Sequence, residues 1–170
     1  MMPGNASVYY WDACLFLAWL KDEERQNGEM DGVREVIERS KRRDAKIVTS
    51  TLTSIEVLSS RIPAGMKTLF DGLMKRISRL GMDTKVAFLA HDLRDHYALL
   101  GGKTLSTPDA IHLATAILYR VDEFHTFDKI GKNNSLGLIP LSGNVAGNRL
   151  MICKPDAKRP QLDLRKPKIP

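Results

Sequence analysis

The chain has 170 residues, of which 43% are hydrophobic and 27% are charged, a composition that is typical of one soluble globular domain and excludes a disordered chain. Aromatic residues make up only 6%, which argues against a nucleic-acid interface built from rows of stacked rings. The net charge is +6, but residues 154–170 carry +4 of it, so the rest of the chain is nearly balanced.

The sequence gives no sign of a disulfide framework or a targeting segment. The two cysteines, Cys14 and Cys153, are far apart and lack the spacing of metal ligands. The longest apolar run, residues 13–20, is about half the length that crosses a bilayer, and no basic segment feeds it. We therefore expect a cytoplasmic protein that has no membrane anchor.

Strands and helices alternate from the beginning of the chain. A Pro-Gly-Asn turn precedes a short apolar strand, and a helix that is apolar on nearly all sides begins just after Asp12. A second helix has an inner stripe of Val33, Val36 and Ile37. The predicted elements here are a strand at 7–11, helices at 13–20 and near 32–43, a strand at 46–49 and a short helix at 53–60.

The alternation continues in the second half. A helical pattern starts at residue 64, and periodicity alone leaves open whether 77–80 extends that helix or forms a strand. Asp83 is placed to cap a helix that Gly101-Gly102 ends, and Thr107-Pro108 opens another. Two further strands are predicted at 124–126 and 138–141.

The order of these elements predicts an α/β fold of three layers, with a mainly parallel sheet of four to five strands between helices. We assign residues 1–150 to this single domain. Residues 151–170 carry most of the basic excess and four prolines, which predicts an extended or flexible tail. The tail could contact RNA, dock a partner or only aid solubility.

Four acidic residues fall where predicted strands end and helices begin. Asp12 follows the first strand, and Glu56 lies in the first turn of the helix after the second strand. Asp109 lies in the first turn of the Thr107-Pro108 helix, and Asp128 follows the strand at 124–126. Since the carboxyl ends of parallel strands meet at one edge of a sheet, we expect all four at the rim of the ligand-binding crevice.

Each acidic residue also has a purely structural interpretation. Asp12 could be a helix N-cap, and Thr53-Ser54-Ile55-Glu56 has the form of a capping box. Asp109 could interact only with the helix dipole, and Asp128 could be a turn residue. Four converging carboxylates, however, repel each other unless protons or a cation neutralise them, and oxygen ligands suit Mg²⁺ or Mn²⁺ better than zinc. A metal held by carboxylates is what phosphodiester hydrolysis requires.

Three motifs stand out against the rest of the sequence. They are VYYWDA at 8–13, TPDAIHLATA at 107–116 and HTFDK at 125–129. In this order and spacing they resemble the PIN-domain family, which includes the VapC-type toxins of bacterial toxin–antitoxin pairs, over about residues 7–145. The resemblance implies a compact α/β/α sandwich, Mg²⁺- or Mn²⁺-dependent ribonuclease activity and a strand at 77–80.

The resemblance also implies roles for individual residues. Asp12 and Asp109 correspond to the acidic residues that bind the metal directly, and Glu56 corresponds to a second acidic position of the family. Asp128 corresponds to a fourth position that often acts through water, and Thr126 to a hydroxyl that commonly lines the site. None of the acidic positions is missing from this sequence.

The histidines have weaker patterns. His112 follows Asp109 by one helical turn and could shuttle protons, but a structural role at a helix–sheet boundary is favoured. Structural or exposed positions are predicted for His91 and His96, and a packing role is predicted for His125.

Basic and apolar side chains suggest two kinds of surface. Arg61, Lys75 and Arg79 could bind RNA phosphates, or could simply be solvated. A helical stripe is most simply core, although part of it could form a dimer or antitoxin surface; it comprises Met66, Leu69, Phe70 and Leu73.

These observations lead to a metal-dependent endoribonuclease as the first hypothesis, with single-stranded or structured RNA as substrate. As a toxin-type enzyme it would have a cognate antitoxin, and a homodimer is expected from the family. The alternative is a PIN-fold RNA-binding or scaffold protein without turnover, although a structural descendant has no reason to retain mutually repelling carboxylates. A phosphatase is disfavoured because Asp12-Ala13-Cys14 lacks the Asp-x-Asp pair that such an enzyme uses.

Overall fold

The computed structural model describes residues 6–157 and places a five-stranded parallel sheet between two layers of helices. This confirms the predicted α/β fold and its three layers. The strands are β1 (Ser7–Trp11), β2 (Ala45–Ser50), β3 (Ser78–Leu80), β4 (Glu123–His125) and β5 (Ile152–Cys153). The α-helices are α1 (Ala13–Leu20), α2 (Glu29–Lys41), α3 (Thr53–Glu56), α4 (Lys67–Met74), α5 (Thr84–Leu99) and α6 (Thr107–Leu118).

The strand order determines where a ligand site can form. The sheet has the order β3-β2-β1-β4-β5, so the chain builds outward from β1 on one side and then returns to add β4 and β5 on the other. Tyr10 of β1 is in register with Val48 of β2 and Phe124 of β4. The crevice beyond the carboxyl ends of β1 and β4, where the order reverses, is the usual ligand site of open α/β sheets.

Each face of the sheet has its own hydrophobic core. Because successive side chains of a strand point to opposite faces, Trp11 packs with α1, α2 and α4, whereas Tyr10 packs with α5 and α6. Tyr10 and Trp11 are both completely buried. On α4, Phe70 and Leu73 are buried but Leu69 is 45% exposed, so the predicted apolar stripe is only partly core.

Helices α5 and α6 begin at the positions that the sequence predicted, next to their capping residues. The Asp83 carboxylate accepts a hydrogen bond from the Val86 amide and caps α5, and the Ser106 hydroxyl caps α6 just before Thr107-Pro108. The ambiguous segment forms β3 at Ser78–Leu80, as the family resemblance implied. No helix within residues 6–157 is long and apolar enough to cross a membrane.

The predicted strand at 138–141 is wrong. Ile139–Leu141 is a short 3-10 helix, because Pro140 has no N–H for a strand ladder and the amides of Leu138 and Ile139 both donate to the Asp128 carbonyl. The fifth strand is instead β5, whose two residues give no periodic signal that a sequence pattern could detect.

The ordered fold also continues past the predicted boundary at residue 150. β5 pairs with β4, the Lys154 ammonium pairs with the Glu29 carboxylate, and a Cβ atom at Gly32 would lie 2.0 Å from the Pro155 carbonyl oxygen. Only a glycine therefore lets the segment after β5 lie against α2. The rest of the predicted tail, residues 158–170, lies outside the described residues.

Candidate active site

Asp12 lies at the junction between β1 and α1 and does two things. Its Oδ1 accepts a hydrogen bond from the Leu15 amide at 3.3 Å, so it caps α1 as one interpretation of the sequence predicted. The Cys14 thiol donates to the same oxygen at 2.8 Å. Burial raises the pKa of Asp12, while hydrogen bonds from Cys14 and Thr126 act in the opposite direction.

Asp109 begins α6 and faces the same region. The Ser106 hydroxyl donates to Asp109 Oδ2, and the Asp109 amide donates back to Ser106 Oγ at 3.2 Å, which forms a reciprocal cap. Burial raises the pKa of Asp109, and the negative charges of Asp128 and Asp12 raise it further. Asp109 therefore lies within electrostatic reach of both Asp128 and Asp12.

Asp128 is held by the loop that follows β4. Its amide donates to Thr126 Oγ1 at 3.0 Å, and its Oδ1 accepts from the Gly131 amide at 2.9 Å. Thr126 is completely buried and also bonds Asp12. The Thr126 hydroxyl therefore ties the Asp128 loop to Asp12, and its role in lining the substrate site stays a prediction.

Glu56 reaches the site from α3. The predicted capping box does not form, because the N-cap position is Leu52, which offers no side-chain acceptor. Instead, Glu56 Oε2 lies 2.7 Å from Nε2 of His112 on α6. The negative charges of Asp12 and Glu56 both raise the pKa of Tyr10, after the larger effect of burial, so both carboxylates lie near this buried ring.

The four acidic residues thus come from α3, α6 and the segments that follow β1 and β4, at the carboxyl edge of the sheet. A family model for the PIN domain matches residues 9–133, which is most of the chain. The chain belongs to the PIN-domain family.

Solved structures share the fold of this PIN domain at low sequence identity. VapBC2 from Rickettsia felis bound to a promoter DNA fragment is 14% identical with a TM-score of 0.59, and covers 85% of this chain and 98% of its own. A toxin-antitoxin complex from Klebsiella pneumoniae is 21% identical with a TM-score of 0.50, covering 69% of this chain and 84% of its own. FitAcB from Neisseria gonorrhoeae is 17% identical with a TM-score of 0.50, covering 71% of this chain and 87% of its own. No curated protein sequence matches the chain significantly.

His112 has a closer relation to the site than its sequence pattern indicated. It is only 2% exposed and accepts or donates at both ring nitrogens, with Nδ1 2.7 Å from the Tyr10 hydroxyl and Nε2 2.7 Å from Glu56. Its position three residues after Asp109 was the available signal, since residues at i and i+3 share a helix face. The contact with Glu56 depends on the tertiary structure, because the two residues are 56 positions apart and their helices α3 and α6 both contact β2.

Cys14 lies in an apolar run of the sequence, but its thiol makes polar contacts with Asp12 and Thr126. Besides donating to Asp12, Sγ lies 3.5 Å from Thr126 Oγ1 and accepts from the Phe127 amide at 3.4 Å. Burial raises the pKa of Cys14 well above its usual value, and the Asp12 charge adds to this, so the group stays a thiol and acts as a donor.

The predicted RNA-binding residues lie on the surface. Arg61, Lys75 and Arg79 are exposed, and none of them is ion-paired with an acidic residue within residues 6–157. His91 and His96 are exposed, as expected, and His125 is buried.

A second group of possible metal ligands lies away from this site. Ligand atoms of Glu123, His125 and Cys153 lie within 4.8 Å of one another. The Trp11 indole N–H donates to His125 Nδ1 at 3.2 Å, so the ring proton of the neutral imidazole must be on Nε2, which lies 2.8 Å from Glu123 Oε2. No lone pair of the ring then faces Glu123 and Cys153, and the group is better described as a hydrogen-bonded cluster than as a metal centre.

Proposed function

We propose that this PIN domain is a metal-dependent endoribonuclease that hydrolyses RNA phosphodiester bonds with Mg²⁺ or Mn²⁺, and that it is the toxin of a toxin–antitoxin pair. The observation that carries the proposal is the grouping of four acidic side chains at the carboxyl edge of the sheet. Within the described part of the chain, no lysine or arginine forms an ion pair with Asp12, Glu56, Asp109 or Asp128.

The donor set fits a hard divalent cation. Carboxylate oxygens are the preferred protein ligands of Mg²⁺ and Mn²⁺. Two like charges about 6 Å apart repel by about 3 kcal/mol at an effective dielectric constant near 20, so a group of carboxylates without basic partners favours a bound cation. Burial and mutual charge already raise the pKa of Asp109, which is the response expected of a site that lacks its counter-charge.

In this proposal the acidic residues have distinct tasks. Asp12 and Asp109 hold the metal directly, because each lies at a fixed strand or helix end. Glu56 binds or orients the attacking water, and Asp128 adds charge and completes the site. The bound metal supplies polarisation of the phosphoryl oxygen and a lowered pKa for the attacking water.

Surface cations complete the proposed substrate site. Arg61, Lys75 and Arg79 are exposed and bind RNA phosphates, which requires no base sequence. Each phosphate contact that is removed should lower RNA affinity by a similar factor at any sequence and should reduce its salt dependence.

The test is cleavage of a mixed single-stranded RNA pool with Mn²⁺ by the wild type and Asp109→Asn. We expect cleavage by the wild type, loss of cleavage in excess chelator, and a decrease of at least about a hundredfold in the variant, because removal of a direct ligand should cost at least as much as removal of a supporting residue. RNA binding without cleavage in both proteins would favour the scaffold alternative. Equal cleavage by both would show that Asp109 is outside the active site.

The partners of this enzyme are also proposals. The solved structures with this fold include toxin-antitoxin complexes, which supports an antitoxin as the inhibitor of this chain. Phe88 on α5 is 68% exposed and Leu99 is 80% exposed, which supports self-association through helices. Light scattering of the purified protein, before and after Phe88→Glu, checks the homodimer; a monomer in both cases would contradict it.

A further inference from the structure

Glu56 is on an element that cannot fix a long side chain by itself. α3 has only four residues, its N-cap lacks a side-chain hydrogen bond, and Ile55 is 70% exposed. The two ends of α3 are anchored, through the buried Thr53 hydroxyl, which lies 2.7 Å from the Thr49 hydroxyl, and through the buried C-cap residue Val57, but neither residue holds the Glu56 side chain. A glutamate at the end of such a turn would sample several rotamers.

α6 provides the missing constraint. It has twelve residues, and most of its side chains from Ala110 to Ala116 are buried. His112 on this helix is 2% exposed and holds Glu56 Oε2 through Nε2 at 2.7 Å. Within the described residues no hydrogen bond engages the other oxygen, Oε1, and the side chain of Glu56 is 26% exposed.

Tyr10 favours the tautomer in which His112 donates its hydrogen bond to Glu56. A carboxylate only accepts hydrogen bonds, so Nε2 of His112 carries a proton and Nδ1 of the neutral ring is an acceptor. The Tyr10 hydroxyl, 2.7 Å from Nδ1, is the donor that this tautomer requires.

We infer that His112, oriented by Tyr10, is the positioning residue that holds one oxygen of Glu56 and leaves the other for the metal or its water. The inference rests on the proposed function and assigns a role that the acidic motif does not include. It also makes α6 the organiser of two acidic residues, because Asp109 comes directly from this helix and Glu56 is held by it.

The test compares His112→Asn with His112→Gln. The Gln amide lies near the position of Nε2 and can still donate to Glu56, whereas the shorter Asn side chain ends near Nδ1 and cannot. We expect His112→Asn to weaken Mn²⁺ binding and to lower kcat by about tenfold or more with little change in KM for RNA, and His112→Gln to recover both to within about threefold. Calorimetry with Mn²⁺ alone measures the affinity without RNA.

His125→Asn is the matched control, because this buried histidine has the same type of partners and lies outside the acidic site. It should lower the melting temperature but leave Mn²⁺ affinity and kcat unchanged. The inference would be overturned if His112→Gln lost as much Mn²⁺ affinity and kcat as His112→Asn, or if His125→Asn lost as much as His112→Asn. Unchanged Mn²⁺ binding by His112→Asn would also overturn it.

A double-mutant cycle separates positioning from general damage. If His112 acts through Glu56, His112→Asn should cause little further loss in a Glu56→Gln background. Additive losses would overturn the inference. Should His112→Asn not fold, Tyr10→Phe keeps the ring, removes the hydroxyl donor and should weaken Mn²⁺ binding several-fold; unchanged binding would overturn the inference. A wild type that neither binds Mn²⁺ nor cleaves RNA would refute the proposed function itself.

Discussion

The two faces of the sheet contain the same arrangement of a buried histidine between an aromatic donor and a glutamate. On the face covered by α5 and α6, Tyr10 and Glu56 flank His112. On the opposite face, Trp11 and Glu123 flank His125, whose ring also stacks on Tyr9 at 4.6 Å. Both donors are neighbours on β1, and the alternation of side chains along the strand sends them to opposite faces.

The two arrangements differ in the charged groups that surround them. Glu56 and the other three acidic residues, Asp12, Asp109 and Asp128, have no arginine or lysine partner within residues 6–157. Glu123 and His125 line a cavity with Tyr9, Glu35 and Arg39, so a cation of the protein is already present there. The same hydrogen-bond pattern therefore holds a glutamate that has no basic partner on one face, and a glutamate that shares a cavity with an arginine on the other.

The largest expected difference between the two faces concerns the response to metal. Asp109→Asn should remove most of the rise in melting temperature that Mn²⁺ produces, whereas Glu123→Gln should retain it, because Glu123 is outside the acidic site. Differential scanning fluorimetry with and without Mn²⁺ measures both. If Asp109→Asn kept the rise in melting temperature with Mn²⁺, or if Glu123→Gln lost it, the metal site would not be the one that contains Asp109.

The metal-free protein should depend on pH in a defined direction. Burial raises the pKa of Asp12 and of Asp109, so the folded state keeps protons that the unfolded state releases. The free energy of unfolding should therefore fall as the pH rises from about 4, the ordinary range of Asp, through the raised pKa values. Asp109→Asn should reduce this slope and raise the metal-free melting temperature by a few degrees near neutral pH. Urea unfolding at several pH values would refute this if stability rose over that range.

The variants Tyr10→Phe and Trp11→Phe each remove one of the two hydrogen-bond donors to a buried histidine. Trp11 is completely buried, and its truncation leaves a cavity, so we expect a loss of about 1–3 kcal/mol in the free energy of unfolding with unchanged Mn²⁺ affinity. Tyr10→Phe should cost about 1–2 kcal/mol because it leaves Nδ1 of His112 without its donor, and it should also weaken Mn²⁺ binding. Chemical denaturation and calorimetry together test this; equal Mn²⁺ affinities in the two variants would contradict it.

The smallest effect is expected at Cys14, which reaches Asp12 from α1. Cys14→Ser keeps a donor for Asp12 Oδ1 and should change Mn²⁺ affinity by less than about threefold, whereas Cys14→Val removes the donor and should weaken binding further. Calorimetric titration compares the two. Identical affinities in both variants would show that the thiol is only a packing group.

Local patterns in the sequence were sufficient for most of the fold. Capping residues such as Asp83 and the Thr107-Pro108 start gave the correct helix ends, since caps act within one turn. The predicted strand at 138–141 is wrong because Pro140 cannot donate to a strand ladder, although the run around it is apolar. The pattern of the sequence does not predict β5, because a two-residue strand exists only through its pairing with β4. The close packing of the segment after β5 on Gly32 is likewise a contact between distant parts of the chain.

The sequence by itself determined the alternation of strands and helices, the family and the four acidic positions, because these depend on residue type and spacing along the chain. Only the tertiary structure decided which polar groups meet. It buried Thr126 beneath Asp12 and placed the Cys14 thiol on the same carboxylate. It also brought His112 to Glu56, across 56 residues of chain, because strand order and helix packing, not sequence separation, set the distances at the edge of a parallel sheet.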